Sequence, residues 1–295
     1  MVQSDLRFSL KHKITDESYT QGMVEEPILL LLAEQQRIAY GVIDRPRQKA
    51  VVLRDYRIVN EQPEASPYTE GFFSRILEDD EILRDIQPSQ TIIGIHSLKH
   101  SLVPDPLFSK DHIEDTLALT CRLNTLDRFY ADPIRSANAH MIYAAEEGFL
   151  SETGERFKEA SLFHASSAFI ESQLRINKHE SEPVVSVLLR QQELDIVITQ
   201  GGELRFFNIF PYQTSEDFIY YLLFSMEQQQ LNPDVATVRC YGEIEKTGAH
   251  WMLARKYVRN VVLGEAADHL HYSYGFDKLS PHSLFGLFTQ YLCVL

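Results

Sequence analysis

Cysteine is scarce in this chain. Its three residues, Cys121, Cys240 and Cys293, lie far apart and form no CxxC pair. That leaves no readable zinc knuckle or thioredoxin-type redox site, and it fits a reducing compartment. Basic residues are also short: 28 Lys and Arg stand against 42 Asp and Glu, a formal net charge of −14. A surface that tracks nucleic-acid phosphates needs clustered cations, so nucleic acid is not an expected partner. The same balance argues against an anionic membrane surface, although Arg45-Pro46-Arg47 is a local basic patch. Long apolar runs are missing too. The richest, Ile28 to Ala33, is far too short to span a bilayer, so no membrane insertion is expected. The N-terminal stretch MVQSDLRFSLKHKITDES is charged throughout and has no apolar signal core, which makes the expected location cytoplasmic. No GxxxxGK[ST], GxGxxG, GxSxG or HExxH occurs. Glu245-Lys246-Thr247-Gly248 ends like a P-loop but lacks the glycines that should precede it.

What is present is architecture. Hydrophobic residues make up 44% of 295, enough for two lobes with substantial cores. In LDIVITQGGELRFFNIF (194–210) the first run alternates with the period of a strand and the second is rich in strand-favouring aromatics. Between them Gly201-Gly202 suits a tight hairpin turn. Adding PVVSVLL (183–189), joined through Arg190-Gln191-Gln192-Glu193, gives a three-stranded meander. Thr214 and Asp217 form a capping-box pattern opening a helix through about Gln230. A strand (235–240), a helix (244–257), a short strand (260–263) and a last helix from Pro281 follow. In the first half, Ile28–Ala33, Arg37–Ile43 and Lys49–Ile58 read as strands, then a helix over 69–86 and a strand over 91–96. An insertion around LVPDPLF (102–108), a helix near 112–122 and a βαβα passage over 139–176 fill the middle. Aligning LLAEQQ (31–36) with LLRQQE (188–193) suggests an internal duplication. The polar NKHESEP (177–183) marks the boundary between an N-terminal lobe, 1–178, and a C-terminal lobe, 179–295.

This layout, with the stretches LRFFNIFPYQTSEDFIYYLL (204–223), SLVPDPLF (101–108) and SLFGLFTQYLC (283–293), resembles a family of uncharacterised bacterial proteins assigned to the ribonuclease-H-like, actin-like ATPase fold. The resemblance implies a duplicated α/β protein, each lobe a β-β-β-α-β-α type mixed sheet flanked by helices. In that superfamily two loops, one between the first two strands of each half, hold the nucleotide phosphates with Gly, Asp and Thr. The matching turns here, Ala33-Glu34-Gln35-Gln36 and Arg190-Gln191-Gln192-Glu193, contain none of these, and Glu34 and Glu193 are expected to repel a triphosphate. Of the Gly pair at the superfamily's adenosine site, Tyr241-Gly242-Glu243 keeps only Gly242, a vestigial cofactor-binding residue. The implied protein is a non-catalytic scaffold or interaction module with a degenerate nucleotide site, no cofactor and an unknown protein partner. The alternative is an ATP-binding protein or weak ATPase with unconventional loops.

Other constellations have plainer readings. His269 and His271 in Asp268-His269-Leu270-His271 would share a face on a strand, but no third metal ligand is in view. His96 and His100 are four apart, yet lie on strand and turn. His164 and Ser166 have the types of a base and nucleophile but read as strand-end packing. Glu78-Asp79-Asp80-Glu81 reads as a solvated helix face, and Glu216-Asp217 as cap and dipole complement. Tyr220, Tyr221 and Phe224 cover more of their helix than one buried stripe needs. Part of that surface is expected to meet the other lobe, with a partner protein as the second reading.

Overall fold

The computed structural model describes residues 7–59, 68 and 71–294. Strand β1 (Arg7–Thr15) leads through the one-turn α1 (Glu17–Thr20) into a meander of β2 (Ile28–Glu34), β3 (Arg37–Asp44) and β4 (Lys49–Val59). Helices α2 (Phe72–Asp79) and α3 (Glu81–Asp85) precede β5 (Gln90–Ile95). Next come β6 (His100–Pro104), α4 (Ile113–Ala118), β7 (Asp127–Ile134), β8 (Ala139–Glu146), α5 (Glu147–Arg156), β9 (Ser161–His164) and α6 (Ala165–Ile176). The second meander is β10 (Val184–Leu189), β11 (Glu193–Gln200) and β12 (Glu203–Pro211). It continues as α7 (Ser215–Gln228), β13 (Thr237–Gly242), α8 (Ala249–Tyr257), β14 (Asn260–Leu263), β15 (His271–Tyr272) and α9 (Pro281–Phe288).

The duplication is visible in the sheets. One runs β1-β4-β3-β2-β5-β9, with β15 beside β4; the other runs β12-β11-β10-β13-β14. Removing β1 and β15 leaves two five-stranded sheets of the same order. In both, the meander is antiparallel and the last two strands lie parallel to the central one. The central strands β2 and β10 are buried along their whole length, which is why ILLLLA and, Ser186 apart, VVSVLL read as apolar runs without alternation. Gly201 and Gly202, with φ of +60° and +80°, make the β11–β12 hairpin turn that their sequence indicates.

The register sharpens the internal alignment. Ala33 pairs with Ile38, and Ile38 with Tyr56. Leu189 pairs with Leu194, and Leu194 with Phe210. The equivalent turns are therefore Glu34-Gln35-Gln36-Arg37 and Arg190-Gln191-Gln192-Glu193, one residue off the alignment of LLAEQQ with LLRQQE.

Several elements differ from their sequence readings. The helix expected over 69–86 is split at Asp80, with residues 69 and 70 outside the described region. Asp80 is buried rather than solvated: both Tyr40 and Tyr56 hydroxyls and the Leu83 N–H donate to it, and Arg54 lies 3.7 Å away. Those donors satisfy the carboxylate, as a buried charge requires. The helix expected from 244 starts at Ala249, after a turn, and that near 112–122 shortens to Ile113–Ala118. Strands β1, β6, β7 and β15 lie outside the elements that the sequence pattern indicates; β6, β8 and β7 form a third sheet, placed between β5 and β9 in the chain.

Helix α9 is the joint. Leu284, Leu287 and Phe288 pack on one face of the first sheet with Leu30, Leu32 and Ala39. Phe285 packs with Leu188 and Tyr241 of the second. Gly41 has no side chain because Phe288 lies against it; a Cβ there would come within 2.7 Å of the ring. No helix among the described residues is long and apolar enough to cross a membrane.

Candidate functional site

The two equivalent turns meet face to face between the sheets. Their sequences, Glu-Gln-Gln-Arg and Arg-Gln-Gln-Glu, are charge-reversed copies of each other. Arg190 donates through Nη1 to Glu34 and grips Asp195 on β11 with Nη2 at 3.0 Å and Nε at 3.3 Å. Glu34 also receives Arg37 Nη1 at 3.2 Å, and the Gln36 amide donates to Gln192 at 3.4 Å. Tyrosine hydroxyls fix the turn backbones: Tyr212 donates to the Arg190 carbonyl at 2.6 Å, and Tyr68 to the Ala33 carbonyl at 3.1 Å. The space left between the turns is about 10 Å³, room for about one water molecule.

His96, at the end of β5, completes the clasp. Its Nε2 lies 2.9 Å from Asp195 and its Nδ1 2.6 Å from Glu193. Nε2 is hydrogen-bonded to Asp195, the Nδ1–Glu193 contact is an ion pair outside hydrogen-bond geometry, and a carboxylate beside each nitrogen favours the imidazolium. Burial and Arg190 oppose that charge, but Glu193 and Asp195 outweigh them and hold its pKa at about 9. Against burial, Arg190 and His96 push the Asp195 carboxyl far below its ordinary range. Likewise Arg37 and Arg190 hold Glu34 low despite its burial. Burial and the charge on His96 press His100 down to about 4; burial and its histidine neighbours keep His164 neutral as well.

These contacts correct the expectation that Glu34 and Glu193 face a ligand with uncompensated charge. Both are 4% exposed and neutralised inside the protein. Ser166 donates its hydroxyl to Asp195 at 2.7 Å, while His164 accepts from the Ser166 backbone, so the two do not make a nucleophile–base pair. Glu216 and Asp217 open α7, where Asp217 and Thr214 form the capping box. His269 sits in a turn beside Asp268 and His271 is exposed on β15; among the described residues no third ligand joins them. Tyr220 and Phe224 stay exposed instead of meeting the other lobe. Missing from the sequence reading were Asp195 and the bridging roles of His96 and Arg190. The mirrored EQQR and RQQE was the signal available.

Beside the clasp opens a cleft of about 450 Å³, lined by Lys11, Arg57, Gly242, Glu243, Lys278 and Phe288 among others. Its charges are mixed. Arg57 pairs with both Asp55 and Glu243, and Lys11 lies 3.8 Å from Glu243. Gly242 has φ +81°, and a Cβ would meet the Leu189 carbonyl at 2.1 Å, so the sheet itself requires glycine there. Gly242→Ala is expected to destabilise the protein by about 2 kcal/mol without any ligand, read as a lower urea midpoint. An unchanged midpoint would leave the glycine without this structural cause.

The chain matches the model of a family described as "Protein of unknown function (DUF3822)" over residues 16–261. It belongs to the DUF3822 family. Its fold is that of actin-like ATPases. A Bacteroides thetaiotaomicron protein with actin-like ATPase fold and unknown function superposes with a TM-score of 0.74 at 16% identity, over 82% of this chain and 92% of that one. A chain of the PilM–PilN type IV pilus biogenesis complex gives 0.60 at 10% identity, over 92% and 99%. At such identities the likeness establishes fold alone. No curated protein matches the sequence. Within this DUF3822 member, the two equivalent turns contain no Gly, Ser, Thr or Asp and bond to each other.

Proposed function

We propose that this protein is a non-catalytic, cytoplasmic member of the actin-like fold whose nucleotide site has degenerated, and that it acts as a scaffold through a protein partner. The observation that carries the reading is the clasp. Phosphoryl transfer needs donors and a cation aimed at phosphate oxygens. Here the donors of Arg190, Arg37 and His96 are already committed to Glu34, Asp195, Asp55 and Glu193. Opening them to admit phosphate exposes buried, paired charges, a cost that ordinary ligand affinity does not cover. Support for a protein partner comes from the PilM–PilN complex, whose PilM-type chain shares this fold and is solved with another protein. Lobes dividing near residue 178, with α9 bridging them, complete the proposal.

The alternative, ATP binding through unconventional loops, rests on the 450 Å³ cleft and on Gly242 as a vestigial adenosine contact. Calorimetry with ATP and Mg²⁺ separates the two. The expected result is no hydrolysis and a dissociation constant weaker than about 10 μM, or roughly −7 kcal/mol. Tighter binding gives the lead to the alternative.

A further inference from the structure

The two sheets differ at one edge. In the first, β4 is covered over 52–59 by β1, antiparallel from Arg7 opposite Val59 to Thr15 opposite Val52, and at Lys49 and Ala50 by β15. In the second, the equivalent strand β12 ends the sheet. Eight of its nine residues pair with β11 and none with another strand; Arg205 stands in a bulge, Pro211 brings no N–H, and no described main-chain group bonds to the outer side. The Ile209 N–H turns away from β11 to its neighbour's Asn208 Oδ1 at 2.9 Å. The alternation of an antiparallel ladder turns the Phe207 N–H outward as well. Exposed edges of this length are commonly blunted by charge, bulge or cover, since each is a template for another strand.

What β1 does on β4 shows what the bare edge is shaped to receive. Phe8 of β1 sits edge-on against Tyr56 of β4, 5.5 Å between centroids, and against Phe72 of α2 at 6.1 Å. Tyr56 is the register equivalent of Phe210, and α2 stands where α7 stands. In the second half the aromatic platform is larger. Phe206, Phe210, Tyr221, Tyr220 and Phe224 follow one another at centroid separations of 6.5, 4.6, 5.3 and 6.0 Å. The row begins on the edge strand and ends in open rings, Tyr220 61% and Phe224 38% exposed. Charge points to the chemistry of the occupant. Helix α7 carries Glu216, Asp217 and Glu227 and no Lys or Arg. Strand β1, the resident cover of the equivalent edge, carries Arg7, Lys11 and Lys13 and no acid.

We infer that β12 and the aromatic face of α7 form a docking edge for an extended segment of a partner protein, added antiparallel as a sixth strand. One face of the segment points to the α7 side: its apolar residues meet the Phe206–Phe224 row, and a Lys or Arg on that same face complements Glu216 and Glu227. Main-chain bonds to β12 supply affinity, and the aromatic row and the acidic helix supply selection. This gives the partner contact of the proposed scaffold its place, and it rests on that reading; the ATP titration tests the scaffold reading separately.

The test uses the full chain and a displayed library of random 12-residue peptides, with selected peptides resynthesised. The expected result is a basic, alternating apolar consensus whose binding slows amide exchange across residues 203–211. Affinity should fall at least tenfold in the Tyr220→Ala, Phe224→Ala double variant and should weaken with salt. Both side chains are exposed, so the variant folds; its circular dichroism checks this. No selectable peptide, equal binding to the double variant, or protection confined to the cleft overturns the proposal. So does protection of 203–211 that grows with protein concentration alone, with a dimer in sedimentation, because the occupant is then a second copy of this chain.

Discussion

Arg190→Ala is expected to lower folding stability by about 3–5 kcal/mol, a large share of the 5–15 kcal/mol typical of folded proteins. Arg190 is buried and touches two carboxylates that are buried as well, Glu34 and Asp195. Its removal strands both, and an unpaired buried carboxylate must take up a proton or draw in water. The magnitude belongs to breaking the pair, not to the pair's net worth. A well-packed neutral replacement of a whole buried ion cluster is often close to neutral in stability. The combined variant Arg190→Met, Glu34→Gln, Asp195→Asn, His96→Gln, Glu193→Gln, which leaves Arg37 paired with Asp55, is therefore expected to recover much of the loss. Urea unfolding of the single and combined variants decides. A single-variant loss under about 1 kcal/mol would mean that water already reaches the clasp.

The clasp also marks where the sequence stops being readable. Strands β2 and β10 announce themselves by apolar run, Gly201-Gly202 by its turn chemistry, and α7 by its capping box, because each of these causes is local. β1 hides: RFSLKHKIT mixes cations into its apolar alternation, and a bulge near Lys11 breaks the period. Asp80 hides for the opposite reason. It belongs by type to an acidic surface run, and only Tyr40 and Tyr56, arriving from the meander, make it a core residue. Glu34 and Arg190 are 156 positions apart, so nothing local distinguishes their buried pair from two exposed turn residues. The mirrored order of the turns is legible only once the duplication is set in the register of the sheets. Aligning Leu with Leu, one position off, conceals it. Ion pairs across a pseudo-twofold are a tertiary fact, and the functional reading of this chain depends on one.

The fold is also expected to weaken as the pH rises from 6.5 to 9.5, by about 3 kcal/mol, through His96 alone. The sign follows from the direction of the shift. His96 holds its proton in the folded protein up to about pH 9, against an ordinary value of 6.5. The folded state thus binds the extra proton across that window, so the stabilisation is complete below 6.5 and is gone once the pH passes about 9. Asp195 and Glu34 act at the other end: held below their ordinary values, they stabilise above the normal carboxylate range and lose that contribution only on acidification. His100 and His164, both pushed down, are neutral in the folded protein while unfolded histidine still holds about half a proton at pH 6.5, so each adds a small opposing rise that ends by about pH 8 and is shared by the variant below. Burial raises the Cys240 thiol to about 12, so it also favours the fold less in alkali; a His96→Gln variant keeps that thiol and isolates the histidine by difference. The measurement is the urea midpoint of both proteins at intervals between pH 6.5 and 9.5. The native chain should fall steadily while the variant, already weaker at pH 6.5 for want of a cation between Glu193 and Asp195, falls much less. Parallel curves would mean that His96 is not charged in the clasp.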